Sequence, residues 1–170
     1  MYTYSKLFTI EPPELLLPLT LMQKIESRNK KASFQYFLLD TFVAGIQLLG
    51  TEIKAIREGK SNLADAYCTF TGNELFVKNL HIAEYSHGSY ANHEPRRIRK
   101  LLLTKRELKK IQHKLKEKGL TIVPVNLFVN EKGLAKLEIS IAKGKKLFDK
   151  RDTIKTKDVK RQLDRVKKSY

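Results

Sequence analysis

The feature of this sequence that most limits its fold is an alternating β-hairpin near the end of its hydrophobic region. Two strand-like segments, Leu120 to Val129 and Leu134 to Ala142, are joined by the turn Asn130-Glu131-Lys132-Gly133. Apolar residues at 135, 137, 139 and 141 predict an inward face, and polar residues at 136, 138 and 140 predict an outward face. A period of two over this length is typical of a half-buried antiparallel strand.

A second hairpin and a long β-rich segment extend this pattern. Gly72-Asn73 is a two-residue turn that tolerates positive φ, between Tyr67–Thr71 and Glu74–Ile82. Phe34 to Leu49 is rich in aromatic and aliphatic residues and predicts one or two long strands bent near Ala44-Gly45. The hairpins exclude a helix-rich layout. Five to six antiparallel strands with one to three flanking helices fit a small, closed or nearly closed barrel, because closure removes exposed strand edges.

Two helices are predicted between the strands. Thr51 to Glu58 predicts a short helix that is stopped by Gly59. Thr104 and Glu107 predict a capping box at the start of a longer helix. The apolar stripe of this second helix consists of Leu108, Ile111 and Leu115. Gly119 is predicted to end it, because glycine adopts the left-handed conformation that follows many helices.

The net charge of +16 is concentrated in two segments. Arg96 to Lys118 contains 11 basic and 2 acidic residues, and Lys143 to Tyr170 contains 12 basic and 4 acidic residues. Such dense patches of one sign indicate a nucleic-acid-binding protein, since a polyanion relieves their self-repulsion. An acidic membrane surface is the competing polyanion, but the chain has no Trp to anchor a basic amphipathic helix there.

The chain divides into three regions by composition. Residues 1–21 are nearly uncharged and contain three of the five prolines, which predicts a loosely attached leader, with Met22 as an alternative start. Residues 22–142 are predicted to form the barrel. Residues 143–170 are predicted to be a basic tail that is disordered when free and helical against a polyanionic partner. The lone cysteine, Cys68, cannot form an internal disulfide, which suits a cytoplasmic location.

No motif for catalysis or metal binding is complete. Gly59-Lys60-Ser61 resembles the end of a phosphate-binding loop, but that motif requires glycine where Lys54 stands. The histidines 81, 87 and 93 lack the short spacings of zinc ligands. Glu52 lies in the first turn of a helix, where a carboxylate favours the helix dipole. The sequence therefore predicts no enzyme, metal or cofactor, and an enzyme using Glu52 and a histidine remains an alternative.

Several sequence blocks, in order along the chain, resemble the small protein B family, the SsrA (tmRNA)-binding proteins. The resemblance covers about residues 25–168, nearly everything except the leader. The blocks are Gly50-Thr51-Glu52-Ile53-Lys54, Arg57-Glu58-Gly59-Lys60, Asn62-Leu63, Asn92-His93-Glu94-Pro95, Arg99-Lys100-Leu101-Leu102-Leu103, Lys105-Arg106-Glu107, Lys118-Gly119, Ala142-Lys143-Gly144-Lys145-Lys146, Asp149-Lys150-Arg151 and Ile154-Lys155.

The resemblance implies a barrel of the oligonucleotide-binding (OB) type and a role as an adaptor in trans-translation. Such a protein binds the tRNA-like domain of tmRNA and enters the vacant A site of a stalled ribosome, where its tail lies in the empty messenger channel. Bacterial tmRNA and the small-subunit decoding centre are the implied partners, with the protein acting as a monomer. The tmRNA-binding positions carried over from the family are Asn29, Lys30, Lys31, Lys100, Leu102, Arg106 and Lys136. The ribosome-binding tail positions are Gly144, Lys145, Lys146, Phe148, Asp149, Lys150 and Arg151.

The sequence departs from the family pattern at Val43, where members usually have glutamate before an Ala-Gly pair. Phe148 takes a place where the family has an aromatic residue or histidine, and it retains a ring face that can stack on a base. The alternative function is a general single-stranded nucleic-acid-binding module. Such modules stack bases on exposed aromatic residues, whereas most aromatic residues here alternate into predicted strand cores.

Overall fold

A computed structural model of the chain describes residues 26–88 and 92–146, together with residues 149, 154, 162–163 and 165–166. The leader predicted for residues 1–21 lies outside the described residues. Across the described part, no helix has the length and hydropathy needed to cross a membrane. In chain order the elements are β1 (Glu26–Arg28), α1 (Lys30–Gln35), β2 (Tyr36–Ile46), α2 (Gly50–Arg57), β3 (Ser61–Asn62), β4 (Tyr67–Thr71), β5 (Glu74–Lys78), β6 (His81–Ile82), β7 (Arg99–Leu102), α3 (Lys105–Lys114), β8 (Leu120–Val129) and β9 (Ala135–Gly144).

The main sheet closes into a barrel. Its seven strands among the described residues follow the order β1-β8-β4-β5-β7-β2-β9, and β8 also pairs with β9. Six strands therefore form a closed ring, and β1 lies beside the end of β8, outside the ring. All pairings are antiparallel. The predicted mainly β fold, with a small barrel and flanking helices, is confirmed.

The barrel interior is filled mainly by aliphatic side chains from five strands of the ring, and β4 contributes Cys68 and Phe70. On β9, Leu137, Ile139 and Ile141 are almost fully buried, as their alternation predicts. The helices close the barrel, because Ile56 of α2 and Ile111 of α3 belong to the same buried cluster. Full burial of such a side chain contributes about 1.5–3 kcal/mol, so Ile111 helps to hold α3 against the barrel.

The helix predictions are confirmed at their starts. Thr104 caps α3, with the Glu107 N–H donating to its Oγ1 at 3.3 Å and the Thr104 N–H donating to Glu107 Oε2 at 2.9 Å. The prediction for the end of α3 is wrong. The helix ends at Lys114, and Gly119, at a φ of 87°, instead turns the chain into β8.

The strands contain two irregularities that the sequence pattern did not predict. In β2 an extra residue lies between Leu38 and Thr41 relative to β9. In β8 the register with β9 shifts between Pro124 and Asn126. Proline has no N–H to donate to the ladder, and such positions are typical of bulges. The bulge leaves the Val125 carbonyl to accept a hydrogen bond from the Asn29 N–H at 2.8 Å.

The outer face of the barrel is partly covered by α1, whose last two residues were predicted to begin a strand at Phe34. Ala32 of α1 packs with Val123 of β8 and Ala142 of β9. Ser140, which was predicted to point outward, is not exposed to solvent at this covered end of the face. Ser140 is fully buried, and its Oγ donates to the Asp40 carbonyl at 3.1 Å.

Candidate nucleic-acid interface

The outer face of β7, β2 and β9 brings together residues that are far apart in sequence. Gly45 of β2 pairs with Leu102 of β7 on one side and with Lys136 of β9 on the other. Directly paired residues of antiparallel strands point to the same face, so Leu102 and Lys136 flank Gly45 on the outside. A Cβ at position 45 would lie 3.2 Å from Leu102 Cβ, which shows how closely the two strands approach there.

This face is both apolar and cationic. Leu102 is 54% exposed, a large fraction for a leucine in a strand. Lys100 lies two residues earlier on the same face of β7, and its Nζ forms an ion pair with Glu74. The Lys136 side chain makes no hydrogen bond or ion pair within the ranges that the structure describes. The face therefore offers a lysine that no acidic group of the described protein neutralises.

The helix α3 begins three residues after Leu102 and carries Arg106 in its first turn, where the side chain is exposed. Two lysines hold the helix against β2. The Lys114 ammonium forms an ion pair with Asp40, and the Lys110 Nζ lies 5.6 Å from the centre of the Phe42 ring. The hydrogen bond from Lys114 lowers the pKa of Asp40 below its ordinary value. Lys110 and Lys114 of α3 therefore pack against the protein, whereas the exposed Arg106 can contact an external ligand.

Near the same outer face, in a groove shared with Val43 of β2 and Glu138 of β9, Asn29 fixes the segment that carries Lys30 and Lys31. Its Nδ2 donates to the carbonyls of Leu63 and Pro124 at 3.0 Å each, and its Oδ1 accepts from the Ala32 N–H at 3.1 Å. Asn29 is only 8% exposed, so these bonds engage the side chain inside the protein. Lys30 and Lys31 are exposed, and Lys31 forms a 3.3 Å ion pair with Asp65.

The start of the predicted tail is attached to α1. The Lys145 N–H donates to the Gln35 carbonyl at 2.9 Å, and its Nζ donates to the Ser33 carbonyl and lies 4.9 Å from the Phe37 ring centre. Gly144 ends β9, and the Lys146 N–H donates to Asp149 Oδ2 at 3.0 Å. The remaining predicted tail residues, Phe148, Lys150 and Arg151, lie outside the described residues.

Glu52, the carboxylate of the alternative enzyme hypothesis, has a structural role. It is fully buried and accepts two hydrogen bonds from Arg97, at 2.7 and 2.5 Å, and one from Arg99 Nε at 2.8 Å. Burial opposes its ionisation, but the hydrogen bonds from Arg97 and the Leu49 N–H and the charge of Arg99 outweigh that effect, and the pKa of Glu52 is lowered. This arrangement joins α2 to β7 and leaves the carboxylate no access to a substrate.

The histidine and cysteine that could have served catalysis are also buried in the fold. The buried His93 ring lies between Thr51 Oγ1, at 2.9 Å, and the Ile82 carbonyl, at 3.2 Å. Cys68 is buried in β4, and burial raises the pKa of its thiol. Within the described ranges, no three histidine, cysteine, aspartate or glutamate side chains form a group that could hold a metal ion.

Sequence reasoning missed the structural use of Arg97 and Arg99, which it counted as part of the basic surface. Arg99 is fully buried and also donates to the carbonyls of Leu80, Arg97 and Pro95. The signal was present in the alternation of β7, where Arg99 shares its face with the buried Leu101 and Lys100 shares its face with the exposed Leu102. A strand of four residues is too short for that alternation to be recognised beforehand.

Known proteins match nearly the whole described part of the chain. A family model described as "SmpB protein" matches residues 26–169. The "SsrA-binding protein" of Christiangramia forsetii is 58% identical over 146 residues, which cover 86% of this chain and 93% of that protein. The "SsrA-binding protein" of Bacteroides thetaiotaomicron is 58% identical over 142 residues, covering 84% and 95%. A solved structure described as "tmRNA-SmpB: a journey to the center of the bacterial ribosome" superimposes with a TM-score of 0.62 at 46% identity, covering 72% of this chain and 85% of that one.

Proposed function

The chain belongs to the SmpB family, and from that membership we propose that it binds the tRNA-like domain of tmRNA and delivers it to stalled ribosomes. In this role it is an RNA-binding adaptor of trans-translation, which allows the nascent peptide to be tagged for degradation and the ribosome to be released. The proposed partners agree with the relatives, which are named for SsrA binding, and with the similar structure, which is described as tmRNA-SmpB and the bacterial ribosome.

The observation that carries this proposal is the outer face on which Leu102 and Lys136 flank Gly45. Folded RNA is recognised mainly through its shape and its sugar-phosphate backbone rather than through its base edges. An exposed leucine beside lysines suits that mode, because the leucine covers a sugar or base face while the lysines contact phosphates. Arg106 at the start of α3 and Lys30 at the start of α1 extend the cationic surface. Asn29 serves as a positioning residue for Lys30 and Lys31.

The tail is proposed to act on the ribosome rather than on tmRNA. Lys145 attaches the start of the tail to α1, so the tail leaves the barrel from a defined point beside the outer face. From there, residues Lys146, Phe148, Asp149, Lys150 and Arg151 reach the decoding centre and the empty messenger channel. A basic segment that becomes helical there would sense the truncated messenger, because an occupied channel excludes it.

The proposed adaptor works in the cytoplasm as a monomer and catalyses no reaction. The buried position of Glu52 supports this view, because its hydrogen bonds and ion pairs join α2 to β7. Binding depends strongly on salt, since lysine and arginine displace counterions from phosphates. With about six phosphate contacts, affinity falls by on the order of 10³-fold between low and moderate salt.

The test is direct binding at near-physiological salt, comparing the tRNA-like domain of tmRNA with an ordinary tRNA and an unstructured RNA. The full chain is compared with a version that ends at Lys146, which retains all of β9 and the Lys145 contacts. Preference of both proteins for the tRNA-like domain supports the barrel as the specific reader. Equal binding of all three RNAs would instead favour the general single-stranded nucleic-acid-binding module.

A further inference from the structure

A groove of about 650 Å³ lies between the start of α1 and the outer face of the barrel. Its floor is a row of directly paired residues that crosses four strands: Val43 of β2, Glu138 of β9, Asn126 of β8 and Arg28 of β1. Phe128 and Lys30 also line the groove. The volume is within the range of small-molecule sites. The groove adjoins the proposed tmRNA-binding face, because Lys136 lies two residues from Glu138 on the same side of β9.

Some polar groups of this groove are hydrogen-bonded within the protein and others are not. The Glu26 carboxylate accepts from Arg28 Nε at 2.9 Å and Nη2 at 3.1 Å, and it also accepts from Asn126 Nδ2. The Glu138 side chain makes no hydrogen bond or close ion pair within the ranges that the structure describes, and, beside the larger effect of the Glu26 hydrogen bond, its charge helps to raise the pKa of Arg28. Asn126 is 9% exposed, and its Oδ1 is buried without a hydrogen-bond partner there. The floor therefore holds a carboxylate and an amide oxygen whose capacity to accept hydrogen bonds is unused.

We propose that this groove binds one unstacked guanine of the bound RNA, with Glu138 accepting from its Watson–Crick edge. The proposal rests on the proposed function and names the part of the RNA that this site recognises. Sequence-specific readers of RNA generally take bases that are splayed out of loops and bulges. The exposed side of Val43 and the ring of Phe128 provide apolar contact for the base. Lys30 and Arg28 in the groove, and Lys136 beside it, supply positive charge for the flanking phosphates.

Guanine is the base that fits an ionised carboxylate. It presents two adjacent donors, N1–H and the N2 amino group, so both oxygens of Glu138 accept at once. Adenine and cytosine place one amino donor beside a ring acceptor, and uracil places its single N–H between two carbonyls. In each of those bases an acceptor would face the carboxylate. The O6 and N7 edge of guanine is the usual partner of arginine, and Arg28, which pairs with Glu26, lines the same groove.

The test uses the fact that a purely electrostatic effect and the loss of a guanine contact change RNA affinity in opposite directions. Removing a negative charge from a basic protein should strengthen RNA binding if only electrostatics matters. Glu138→Gln nevertheless keeps the shape of the side chain and can no longer accept twice, so we expect it to weaken binding of the tRNA-like domain about tenfold, as expected for a lost charged hydrogen bond. Glu131→Gln, in the exposed turn between β8 and β9, is the matched control and should bind as tightly as the unmodified protein or more tightly.

The occupant is identified by pairing the variants with RNAs in which each unpaired guanosine is replaced in turn by inosine, which lacks the N2 amino group. We expect one position at which inosine weakens binding to the unmodified protein about tenfold but has no further effect on Glu138→Gln. Undiminished binding by Glu138→Gln, or weakened binding without such a position, overturns the guanine site while leaving the proposed function standing. If the unmodified protein does not prefer the tRNA-like domain over unstructured RNA, the proposed function itself fails.

Discussion

Glu52 and Arg99 form an ion pair inside the protein, with Arg99 Nε 2.8 Å from Glu52 Oε1 and neither side chain exposed to solvent. The pair connects the first turn of α2 to the start of β7, and Arg97 contacts the same carboxylate from a partly exposed position. Arg99 also supplies donors to three backbone carbonyls. The two residues therefore hold the loop between β6 and β7 against the barrel, so that β7 presents Lys100 and Leu102 outward.

We predict that Arg99→Met destabilises the protein by about 3 kcal/mol, because it leaves a buried carboxylate with less compensation and several carbonyls without donors. The free energy of unfolding in urea measures this effect. Arg96→Met removes a nearby exposed arginine and should change stability by less than about 0.5 kcal/mol. Equal stability of the two variants would show that the buried pair is not important for the fold.

The stability contributed by Glu52 should depend on pH. Its pKa is lower in the folded protein than its ordinary value of 4.5, so the unfolded chain binds more protons between those two values. The contribution is present above the ordinary value and is lost as the pH falls through the folded pKa. Glu52→Gln should therefore differ most from the unmodified protein at neutral pH, and the difference in unfolding free energy should shrink in acid. A difference that stays constant with pH would contradict this prediction.

Arg106 and Lys136 should contribute to binding of the tRNA-like domain through phosphates. Replacing both with Gln should reduce the slope of log affinity against log salt by about two, since each contact accounts for roughly one unit. Affinity measured over a series of salt concentrations tests this. Lys132→Gln, in the exposed turn at the end of the β8–β9 hairpin, is the control and should leave the slope unchanged. An unaltered slope in the double variant would place the RNA face elsewhere.

Asn29 should behave as a positioning residue. Asn29→Ala removes two buried donors and the cap of α1, which should cost about 1–3 kcal/mol of stability because two carbonyls lose their partners. Affinity for the tRNA-like domain should fall while the salt slope stays unchanged, because the lysines are retained but less well placed. Lys30→Gln is the comparison and should reduce the slope without lowering stability. A reduced slope in Asn29→Ala would indicate a different role.

The tail should act after tmRNA binding. Replacing Asp149, Lys150 and Arg151 with Ala should leave affinity for the tRNA-like domain intact and abolish tagging of truncated translation products. A reconstituted translation reaction on a messenger without a stop codon measures tagging. The control is the replacement of Lys160, Arg161 and Asp164 with Ala, which removes the same net charge. If both variants lose tagging equally, the effect is one of charge alone.

Local patterns in the sequence predicted the elements with strong signals. The β8–β9 hairpin and the start of α3 follow from alternation and from the Thr104–Glu107 capping box, which depend only on neighbouring residues. The strand β7 and the helix α1 were not predicted, because Arg99-Lys100-Leu101-Leu102 is short and half basic, and α1 depends on a cap whose donors reach carbonyls distant in the chain. The end of α3 was misplaced for a similar reason, since the turn before β8 determined where Gly119 lies.

The candidate site likewise combines residues that could be predicted from the sequence with an arrangement that could not. The resemblance supplied residue positions, including Leu102 and Lys136, but not their relation to each other. The sequence by itself determined a basic, barrel-forming chain, because periodicity, capping and charge are properties of neighbouring residues. The tertiary structure alone decided that Gly45 brings Leu102 and Lys136 together and that Arg99 is buried while Lys100 is exposed. Those outcomes depend on strand register and on pairing between residues more than thirty positions apart, which no local pattern encodes.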